Sequence, residues 1–376
     1  MPSRLSDAYK AHPLRLTHEV VDLGSVIQLP DSHAWNAGDG HPSVNGRSCT
    51  EPGLLPIIDL AAANALELLG HACRTWGVFQ VTNHGVPSSL FDEMEAAGVD
   101  LFSLPLEQKM KAARAPDSAT GYGLARISSF FSKQMWYEGF TIVGSPLQHA
   151  RQLWPRHRDF SKFCEAVEEY DEKMNQLAAR LLWLMLGALG ITKHDVKWAG
   201  PKRDFKGASA ALQLNCYPAC PEPERAMGLA AHTDSTLLTI LYQNRISGLQ
   251  VFREGTGWAA VPPVPGALVV NVGDLLHIIS NGSYPSVLHR AVVNRTQQRL
   301  SFAYLYGPPT AAKIEPHRRM VGPSDPPLYR AVYWSEYLGL KARLFNKALS
   351  SVRLVKSGND STETEMKEIK HSKKGG

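Results

Sequence analysis

The spacing of the apolar residues changes near residue 208, and this change constrains the fold more than any other feature of the chain. Upstream, in the stretch 161–190, apolar residues recur at steps of three and four, which predicts a long helix. Downstream, apolar residues alternate in short runs that are separated by turn signals such as Asn281-Gly282. Many short strands at this spacing predict a sandwich or a jelly roll. The expected strands cover 237–242, 248–252, 258–261, 268–272, 287–294 and 300–306.

We therefore expect a mainly β protein with flanking helices. Its core would be a double-stranded β-helix of the jelly-roll or cupin-like type, preceded by an N-terminal α/β segment. A helix at 329–349 would follow the core. The expected regions are an extended N-terminal arm (1–53), a mixed α/β region (54–205), the jelly-roll core (206–310), a C-terminal helical segment (311–355) and a disordered tail (356–376).

Composition excludes several classes of partner. The chain has 376 residues, and a net charge of +5 is scattered without a basic stripe, so we expect no nucleic acid. Five cysteines are too few and too widely spaced for a disulfide framework, which favours a reducing compartment. The N-terminus lacks the apolar core of a signal peptide, and the apolar run 181–189 is too short to span a bilayer. We expect a monomer in the cytoplasm, or also in the nucleus, that is not secreted.

His232-Thr233-Asp234 and the distant His289 form a candidate metal site. Residues i and i+2 of a strand point to the same face, so His232 and Asp234 could both reach one ion. His289 must be brought back by the fold. Two histidines and one carboxylate are the ligands of non-haem iron(II) oxygenases, which leave coordination positions open.

Arg299 and Ser301 follow His289 by ten and twelve residues. A bidentate cation and a hydroxyl on one strand face suit the far carboxylate of a dicarboxylic co-substrate, which points to 2-oxoglutarate. The alternative is a solvent-facing strand edge. Nearby, Tyr217 could donate its hydroxyl to the co-substrate and Asn215 could lie near the metal. Asn215-Cys216-Tyr217-Pro218 could equally be a turn with a packed tyrosine.

Other candidates are assigned structural parts. His157-Arg158-Asp159 precedes a helix, where Asp159 or Ser161 would be the N-cap. Cys216 and Cys220 lack the second pair that a zinc site needs. Asp274, His277 and His84 are left out of the metal site. We expect Asp274 to cap its own backbone in a turn and His277 to be a core histidine whose hydrogen bonds are satisfied. We assign no role to His84.

With these residues in view, the chain resembles the plant 2-oxoglutarate/iron(II) dioxygenases over roughly residues 54–350. The resemblance implies that His232, Asp234 and His289 bind iron(II), and that Tyr217, Arg299 and Ser301 bind 2-oxoglutarate. It also implies dioxygen as co-substrate, ascorbate as reductant, and succinate and carbon dioxide as products. The segments that carry it are 55–59, 76–85, 215–218, 232–234, 273–274, 289–290 and 299–301.

Within that family the chain most resembles the gibberellin 3-beta-dioxygenases, through the segments 121–123, 127–133, 135–141 and 286–294. This implies 3β-hydroxylation of inactive gibberellin precursors, which are compact diterpenoid carboxylic acids. Such a substrate needs an apolar wall and one polar contact. We expect the wall from Ile127, Phe130, Phe131 and Trp136, and the polar end from Tyr122 or Lys133.

Alternatives to this function remain at this point. The aromatic residues of the expected wall could be plain core. A sister dioxygenase could act at another gibberellin position or on a flavonoid. A binding protein without turnover and a zinc hydrolase are the other classes, and neither needs both the iron ligands and the Arg-x-Ser pair.

Overall fold

The computed structural model of this protein describes residues 20–36, 55–154, 159–205 and 207–354, together with Lys10 and Pro13. Most of the expected N-terminal arm, the expected tail at 356–376, and His157 and Arg158 lie outside the described residues. None of the described helices is both long and apolar enough to cross a membrane.

The helices lie mostly before the jelly-roll strands and after them. They are α1 (Ala65–Thr75), α2 (Ser88–Phe102), α3 (Leu106–Met110), α4 (Leu147–Leu153), α5 (Ser161–Gly187), α6 (Asp274–Ile279), α7 (Trp334–Leu344) and α8 (Ala348–Ser351).

Helix α5 is the helix expected at 161–190, and it is 27 residues long. Its buried side chains follow the predicted steps of three and four and pack against α1, α2 and the large sheet. Each leucine or methionine buried there contributes about 1.5–3 kcal/mol, so the apolar face holds this helix in place. The C-cap is Ala188, and Gly190 adopts a φ of +72° two residues later.

Two sheets form the β core. The strands are β1 (Ile57–Asp59), β2 (Val78–Thr82), β3 (Gly121–Gly123), β4 (Glu138–Ile142), β5 (Ser209–Tyr217), β6 (Leu229–His232), β7 (Leu238–Gln243), β8 (Leu249–Arg253), β9 (Gly257–Ala260), β10 (Leu268–Val272), β11 (His289–Ala291), β12 (Arg299–Gly307), β13 (Lys313–Ile314) and β14 (Val332–Tyr333).

The eight-stranded sheet has the order β1-β2-β10-β7-β12-β5-β4-β3, and the four-stranded sheet has the order β6-β11-β8-β9. Only the β1–β2 pair of the large sheet is parallel. The fold is therefore mainly β with flanking helices around a jelly-roll core, and the expected fold class is confirmed. Strands β1 to β4 come from the N-terminal region and extend the large sheet.

The described part of the N-terminal arm, residues 20–36, packs onto the folded body. Trp35 is buried and donates its indole N–H to the carbonyl of Gln134 at 2.7 Å. Its backbone N–H bonds the carbonyl of Arg225 at 2.8 Å. Leu23 and Leu29 pack around Trp136 in the same region. The buried side chains of this segment, Leu23, Leu29, His33, Ala34 and Trp35, are therefore part of the core.

Candidate functional site

The two histidines of the candidate metal site are cross-strand neighbours. His289 on β11 pairs directly with His232 on β6. Asp234 lies two residues beyond the end of β6, so it reaches the site from the following loop and not from the strand itself. Its Oδ1 atom is 3.8 Å from His232 Nε2 and 3.7 Å from His289 Nε2. Among the described residues, this is the only group of His, Cys, Asp or Glu side chains close enough to share an ion.

Backbone contacts place a hydrogen on the Nδ1 atom of both rings. His232 Nδ1 lies 2.8 Å from the carbonyl of Ala230, and His289 Nδ1 lies 3.1 Å from the carbonyl of Val287. A carbonyl only accepts, so each Nδ1 must donate, and in the neutral ring Nε2 then has its lone pair available for a metal. Burial, together with the neighbouring His289, lowers the pKa of His232 to about 4, which keeps the ring neutral as a ligand must be.

Asp234 is held as a carboxylate. Burial by itself would raise its pKa, but His289 and His232, with hydrogen bonds from Thr239 and Asn271, hold the pKa below its usual value. The Asn271 amide donates to Asp234 Oδ2 at 3.3 Å, which leaves Oδ1 facing the histidines. These donors and their charges fit a divalent transition-metal ion.

Arg299, Ser301, Tyr217 and Asn215 form a second cluster on the large sheet. The register of β12 on β5 pairs Arg299 with Tyr217 and Ser301 with Asn215, so all four residues lie on one face. Arg299 Nη1 donates to Ser301 Oγ at 3.4 Å, and the guanidinium carbon lies 5.1 Å from the centre of the Tyr217 ring. The two histidine ligands therefore lie on the four-stranded sheet, with Asp234 just beyond its strand β6, whereas this second cluster lies on the eight-stranded sheet.

The Arg299 guanidinium is buried without a carboxylate partner among the described residues. Its exposed fraction is 2%, and its Nη2 donates to the neutral Gln243 amide at 3.0 Å. Its Nε has no hydrogen-bond partner in the part of the chain that the structure describes. Burial lowers its pKa, and Tyr217 opposes this shift. A buried, uncompensated cation is costly, so this position suits an anionic ligand.

A cavity of about 310 Å³ joins the two clusters. It is lined by His232, Asp234 and His289 from one side and by Arg299 and Ser301 from the other, so it lies between the two sheets. Tyr217 and Asn215 also line it. Most of the remaining lining is apolar, which suits a largely hydrocarbon ligand. Apolar residues at its wall include Ile127, Phe130, Leu229, Leu338 and Phe345.

Two of the six expected substrate residues lie at this cavity. Ile127 and Phe130 line it from the short 3-10 helix Arg126–Phe130. Phe130 stacks on Phe345, with ring centroids 5.0 Å apart. Phe131 lies behind this pair, edge-on to Phe345 at 5.6 Å, and so supports the wall without lining it.

The other three expected substrate residues do not line this cavity. Trp136 is fully buried under the N-terminal arm and donates to the carbonyl of Pro218 at 3.0 Å. Tyr122 is buried on the opposite face of β3 and donates its hydroxyl to Glu138 at 2.7 Å. Lys133 bonds the carbonyl of Asp31 at 2.7 Å. These contacts hold all three side chains outside the cavity lining.

Several lining residues were missed in the sequence. Tyr137 lines the cavity beside the expected Trp136, and its hydroxyl donates to Asn215 Oδ1 at 3.0 Å. Lys341 and Phe345 come from the C-terminal helix α7 and its end. The sequence alone does not show which of the adjacent residues Trp136 and Tyr137 faces the cavity, because it does not give the direction of either side chain. No local sequence signal marks the α7 residues.

The excluded candidates have mostly structural contacts. His277 bonds the carbonyl of Tyr284 and the hydroxyl of Tyr329, both at 2.7 Å, as a satisfied core histidine does. His84 Nε2 bonds the carbonyl of Gly266 at 2.9 Å. Asp159 accepts the Ser161 N–H at 2.8 Å, although the N-cap itself is Phe160.

Asp274 corrects the sequence analysis. It does not cap its own backbone in a turn. It is the first residue of α6, fully buried, and its carboxylate accepts the hydroxyls of Ser286 at 2.7 Å and Tyr337 at 2.8 Å. Lys341 lies 3.0 Å away. Thr233 Oγ1 donates to the same carboxylate at 3.3 Å, so Asp274 connects four segments of the chain inside the protein.

Comparisons with known proteins agree with this geometry. The family model of the 2OG-Fe(II) oxygenase superfamily matches residues 208–308, and the model described as the non-haem dioxygenase in morphine synthesis N-terminal matches residues 55–159. The first match contains both clusters of the site.

Curated relatives extend the match to nearly the whole chain. The chain is 60% identical over 356 residues to gibberellin 3-beta-dioxygenase 1 of Pisum sativum, covering 94% of each sequence. It is 53% identical over 353 residues to gibberellin 3-beta-dioxygenase 2 of Arabidopsis thaliana, covering 94% of this chain and all of that one.

Solved structures share the fold. JOX2 in complex with 2OG, Fe and JA is similar with a TM-score of 0.74 and 30% identity, over 90% of this chain and 99% of that chain. The rice dioxygenase for auxin oxidation is similar with a TM-score of 0.66 and 27% identity, over 80% of this chain and all of that one.

Proposed function

The chain belongs to the gibberellin 3-beta-dioxygenases of the 2OG-Fe(II) oxygenase superfamily, and from this premise we propose that it hydroxylates the 3β carbon of gibberellin precursors. The products are the 3β-hydroxylated, bioactive gibberellins, and 2-oxoglutarate is decarboxylated to succinate and carbon dioxide. The identity to the Pisum sativum relative is 60% over 94% of this chain, which supports the same reaction for this protein.

Iron(II), 2-oxoglutarate and dioxygen are the groups that the family uses. We assign His232, Asp234 and His289 as the iron ligands, since their donor atoms converge and the lowered pKa of His232 keeps that ring neutral. Bound iron would couple the oxidative decarboxylation of 2-oxoglutarate to insertion of one oxygen atom into a C–H bond, and ascorbate would keep the iron reduced.

The buried, unpaired Arg299 is the observation that carries the co-substrate assignment. A dicarboxylate that chelates the metal at one end would bring its other carboxylate to Arg299 and Ser301, on the opposite sheet. Tyr217 lies against the guanidinium and Asn215 lies across from Ser301, so both help to define this end of the cavity. The anion would compensate the guanidinium charge.

The apolar part of the cavity would bind the gibberellin skeleton. Ile127, Phe130, Phe345 and Leu338 supply a hydrocarbon and aromatic surface of this cavity. A rigid tetracyclic ligand against such a wall presents few of its C–H bonds to the metal. The wall would thus select the carbon that is oxidised.

The test is a reconstituted reaction. The protein would be purified without oxygen and given iron(II), ascorbate, 2-oxoglutarate, oxygen and a 3-deoxy gibberellin precursor, and the products would be identified by mass spectrometry. We expect a 3β-hydroxylated product with an equal amount of succinate. His232→Ala should abolish both products. His71→Ala, which removes an exposed histidine, is the control and should retain them.

The outcomes separate the proposals. Succinate formed with a product hydroxylated elsewhere would overturn the 3β assignment and keep the dioxygenase. A fully active His232→Ala variant would overturn the metal assignment.

We further propose that the protein is a monomer of the cytoplasm or the nucleus that binds no nucleic acid. The scattered charge and the four described cysteines, all buried and free, support this proposal. Light scattering of the purified protein and fractionation of plant cells would test the two parts. A stable dimer or a secreted pool would contradict them.

A further inference from the structure

Asp274 is a fully buried carboxylate at the point where the metal-binding segments meet helix α7. Ser286 Oγ donates to its Oδ1 at 2.7 Å. Tyr337 donates to its Oδ2 at 2.8 Å, and Lys341 Nζ lies 3.0 Å from the same oxygen. Thr233 Oγ1 is 3.3 Å away. We call Asp274, Tyr337 and Lys341 the α7 junction.

Three contacts of this junction lead to the metal ligands. Thr233 stands between His232 and Asp234 in the chain, and Lys341 donates to its carbonyl at 2.9 Å and its hydroxyl at 2.8 Å. The backbone N–H of Asp274 donates to the carbonyl of Asp234 at 2.8 Å. Ser286 lies three residues before His289, on the segment that leads into β11. Both ligand-bearing segments are thus bonded to one carboxylate.

The other side of the junction is a wall of the cavity. Tyr337 and Lys341 belong to α7, and Leu338 and Lys341 of the same helix line the cavity. The Lys341 side chain is 14% exposed, and its ammonium already has three acceptors in Thr233 and Asp274. Its charge is therefore used inside the protein, and it is not available as a partner for a substrate carboxylate.

A buried ion pair of this kind is rigid. Removing one partner from a buried charge leaves the other uncompensated, so alternative positions of α7 that break the pair are strongly disfavoured. The hydroxyl donors from Tyr337 and Ser286 fix the orientation of the carboxylate as well as its position.

We propose that the α7 junction holds the metal-ligand segments and the substrate-lining helix in one fixed relation, and thereby sets how close the target C–H bond lies to the metal. Asp274, Tyr337 and Lys341 are positioning residues in this scheme, because they act through Thr233, Ser286 and the wall of α7. The inference rests on the proposed function, since it takes the metal ligands and the cavity as assigned there.

The test uses two variants and a matched control. Asp274→Asn removes the charge with little change in volume, and Tyr337→Phe removes a single buried hydroxyl from the junction. Tyr304→Phe removes an equally buried hydroxyl, bonded by Asn175, from the core face of β12, which does not line the cavity. Far-ultraviolet circular dichroism and a denaturation midpoint would be recorded for each.

Two readouts separate positioning from loss of fold. Cobalt(II), used as a spectroscopic replacement for iron, reports the affinity and ligand geometry of the metal site without any gibberellin. The ratio of hydroxylated gibberellin to succinate reports how well the C–H bond is placed, because a misplaced substrate lets 2-oxoglutarate be consumed without hydroxylation.

We expect Asp274→Asn to bind cobalt(II) about 10–100-fold more weakly, as is usual for partners of ligand residues. We expect Tyr337→Phe to bind cobalt(II) with an altered visible spectrum and to yield several-fold less hydroxylated product per succinate. Tyr304→Phe should match the unaltered protein in both respects.

An unchanged product-to-succinate ratio in Tyr337→Phe would overturn the inference, even if Asp274→Asn failed to fold. Unaltered protein that bound no cobalt(II) would instead overturn the metal assignment under the proposed function. If the unaltered protein bound the metal but oxidised another substrate, the cobalt(II) spectrum of Tyr337→Phe would still test the junction. Failure of the inference and failure of the proposed function are therefore distinguishable.

Discussion

Arg299 has a planar guanidinium group that can donate two parallel hydrogen bonds to the far carboxylate of 2-oxoglutarate. Its own hydrogen-bond partners, Ser301 and Gln243, are neutral. Replacing Arg299 with lysine keeps the positive charge but removes the planar pair of N–H donors. We predict that Arg299→Lys weakens 2-oxoglutarate binding by about 1.5–3 kcal/mol, the value of a hydrogen bond to a charged group. Titration calorimetry with the manganese(II)-loaded protein would measure this change.

Arg295→Lys is the control for this prediction, because Arg295 is exposed and pairs with Glu224 on the surface. It should leave 2-oxoglutarate binding unchanged. Equal affinities for the unaltered protein and Arg299→Lys would show that the carboxylate lies elsewhere.

Phe345 closes the cavity wall in a strained conformation. Its φ of +50° and ψ of −122° are values that a residue with a side chain rarely adopts, and its ring stacks on Phe130. We predict that Phe345→Gly is more stable than Phe345→Ala by about 1–3 kcal/mol, because glycine relieves the strain. Both variants should raise the KM for the gibberellin, which kinetics on matched preparations would measure.

The denaturation midpoints of Phe345→Gly and Phe345→Ala would show whether the backbone at residue 345 is strained. If alanine proved as stable as glycine at position 345, the backbone there would be relaxed.

Neighbouring side chains show why only part of the cavity could be predicted. The sequence favoured Trp136 as a wall residue, whereas Tyr137 lines the cavity and Trp136 lies under the N-terminal arm. Adjacent residues of an extended segment point to opposite faces, and composition cannot say which face is inside. Asp274 was misjudged for a related reason. Its partners Ser286, Tyr337 and Lys341 are distant in the chain.

Helix α5 shows which secondary structure can be predicted well. A long amphipathic pattern outweighs local propensity, so its start at Ser161 matched and its end at Gly187 differed by a few residues. The expected strand 287–294 is shorter, His289–Ala291, because its pairing with β6 is irregular. The expected helix 329–349 is interrupted, since the positive φ of Phe345 ends α7.

The core face of α5 gives a test of its contribution. Leu181 is fully buried between α5 and its neighbours. We predict that Leu181→Ala lowers the free energy of unfolding by about 2–5 kcal/mol, from lost burial and the cavity that remains. Urea unfolding followed by circular dichroism would measure it.

Glu169→Ala, on the exposed face of the same helix, should change the free energy by no more than about 0.5 kcal/mol. A similar loss in both variants would contradict the argument that the buried face holds α5, since alanine is the best helix former and neither change lowers helix propensity.

For the complete chain, ligand binding and folding should be linked, because the site joins two sheets. A ligand that binds only the folded state at 100 times its Kd stabilises that state by about 2.7 kcal/mol. We predict a higher Tm with manganese(II) and 2-oxoglutarate together than with a chelator. Differential scanning fluorimetry would measure the shift.

Glutarate is the control ligand, since it has both carboxylates and lacks the keto oxygen that chelates the metal. It should stabilise the protein less than 2-oxoglutarate. An identical Tm in chelator and in metal with 2-oxoglutarate would contradict the linkage.

The architecture of the chain was predictable because a jelly roll is specified by strand periodicity repeated along many segments, and the expected fold class is confirmed. The division into an arm, an α/β region, a core, a helical segment and a tail stays a prediction. Sequence could not show that residues 20–36 pack as core, because this segment has little periodicity.

The pairing of β2 with β10 has a consequence for the newly made chain. β2 ends at Thr82, and the strand that covers its edge ends only at Val272. At synthesis rates of about 5–20 residues per second, the ribosome needs roughly 10–40 s to make the residues between them. Throughout that interval the edge of β2 lacks the strand that pairs with it in the folded protein, and an unpaired strand edge is a site for edge-to-edge aggregation.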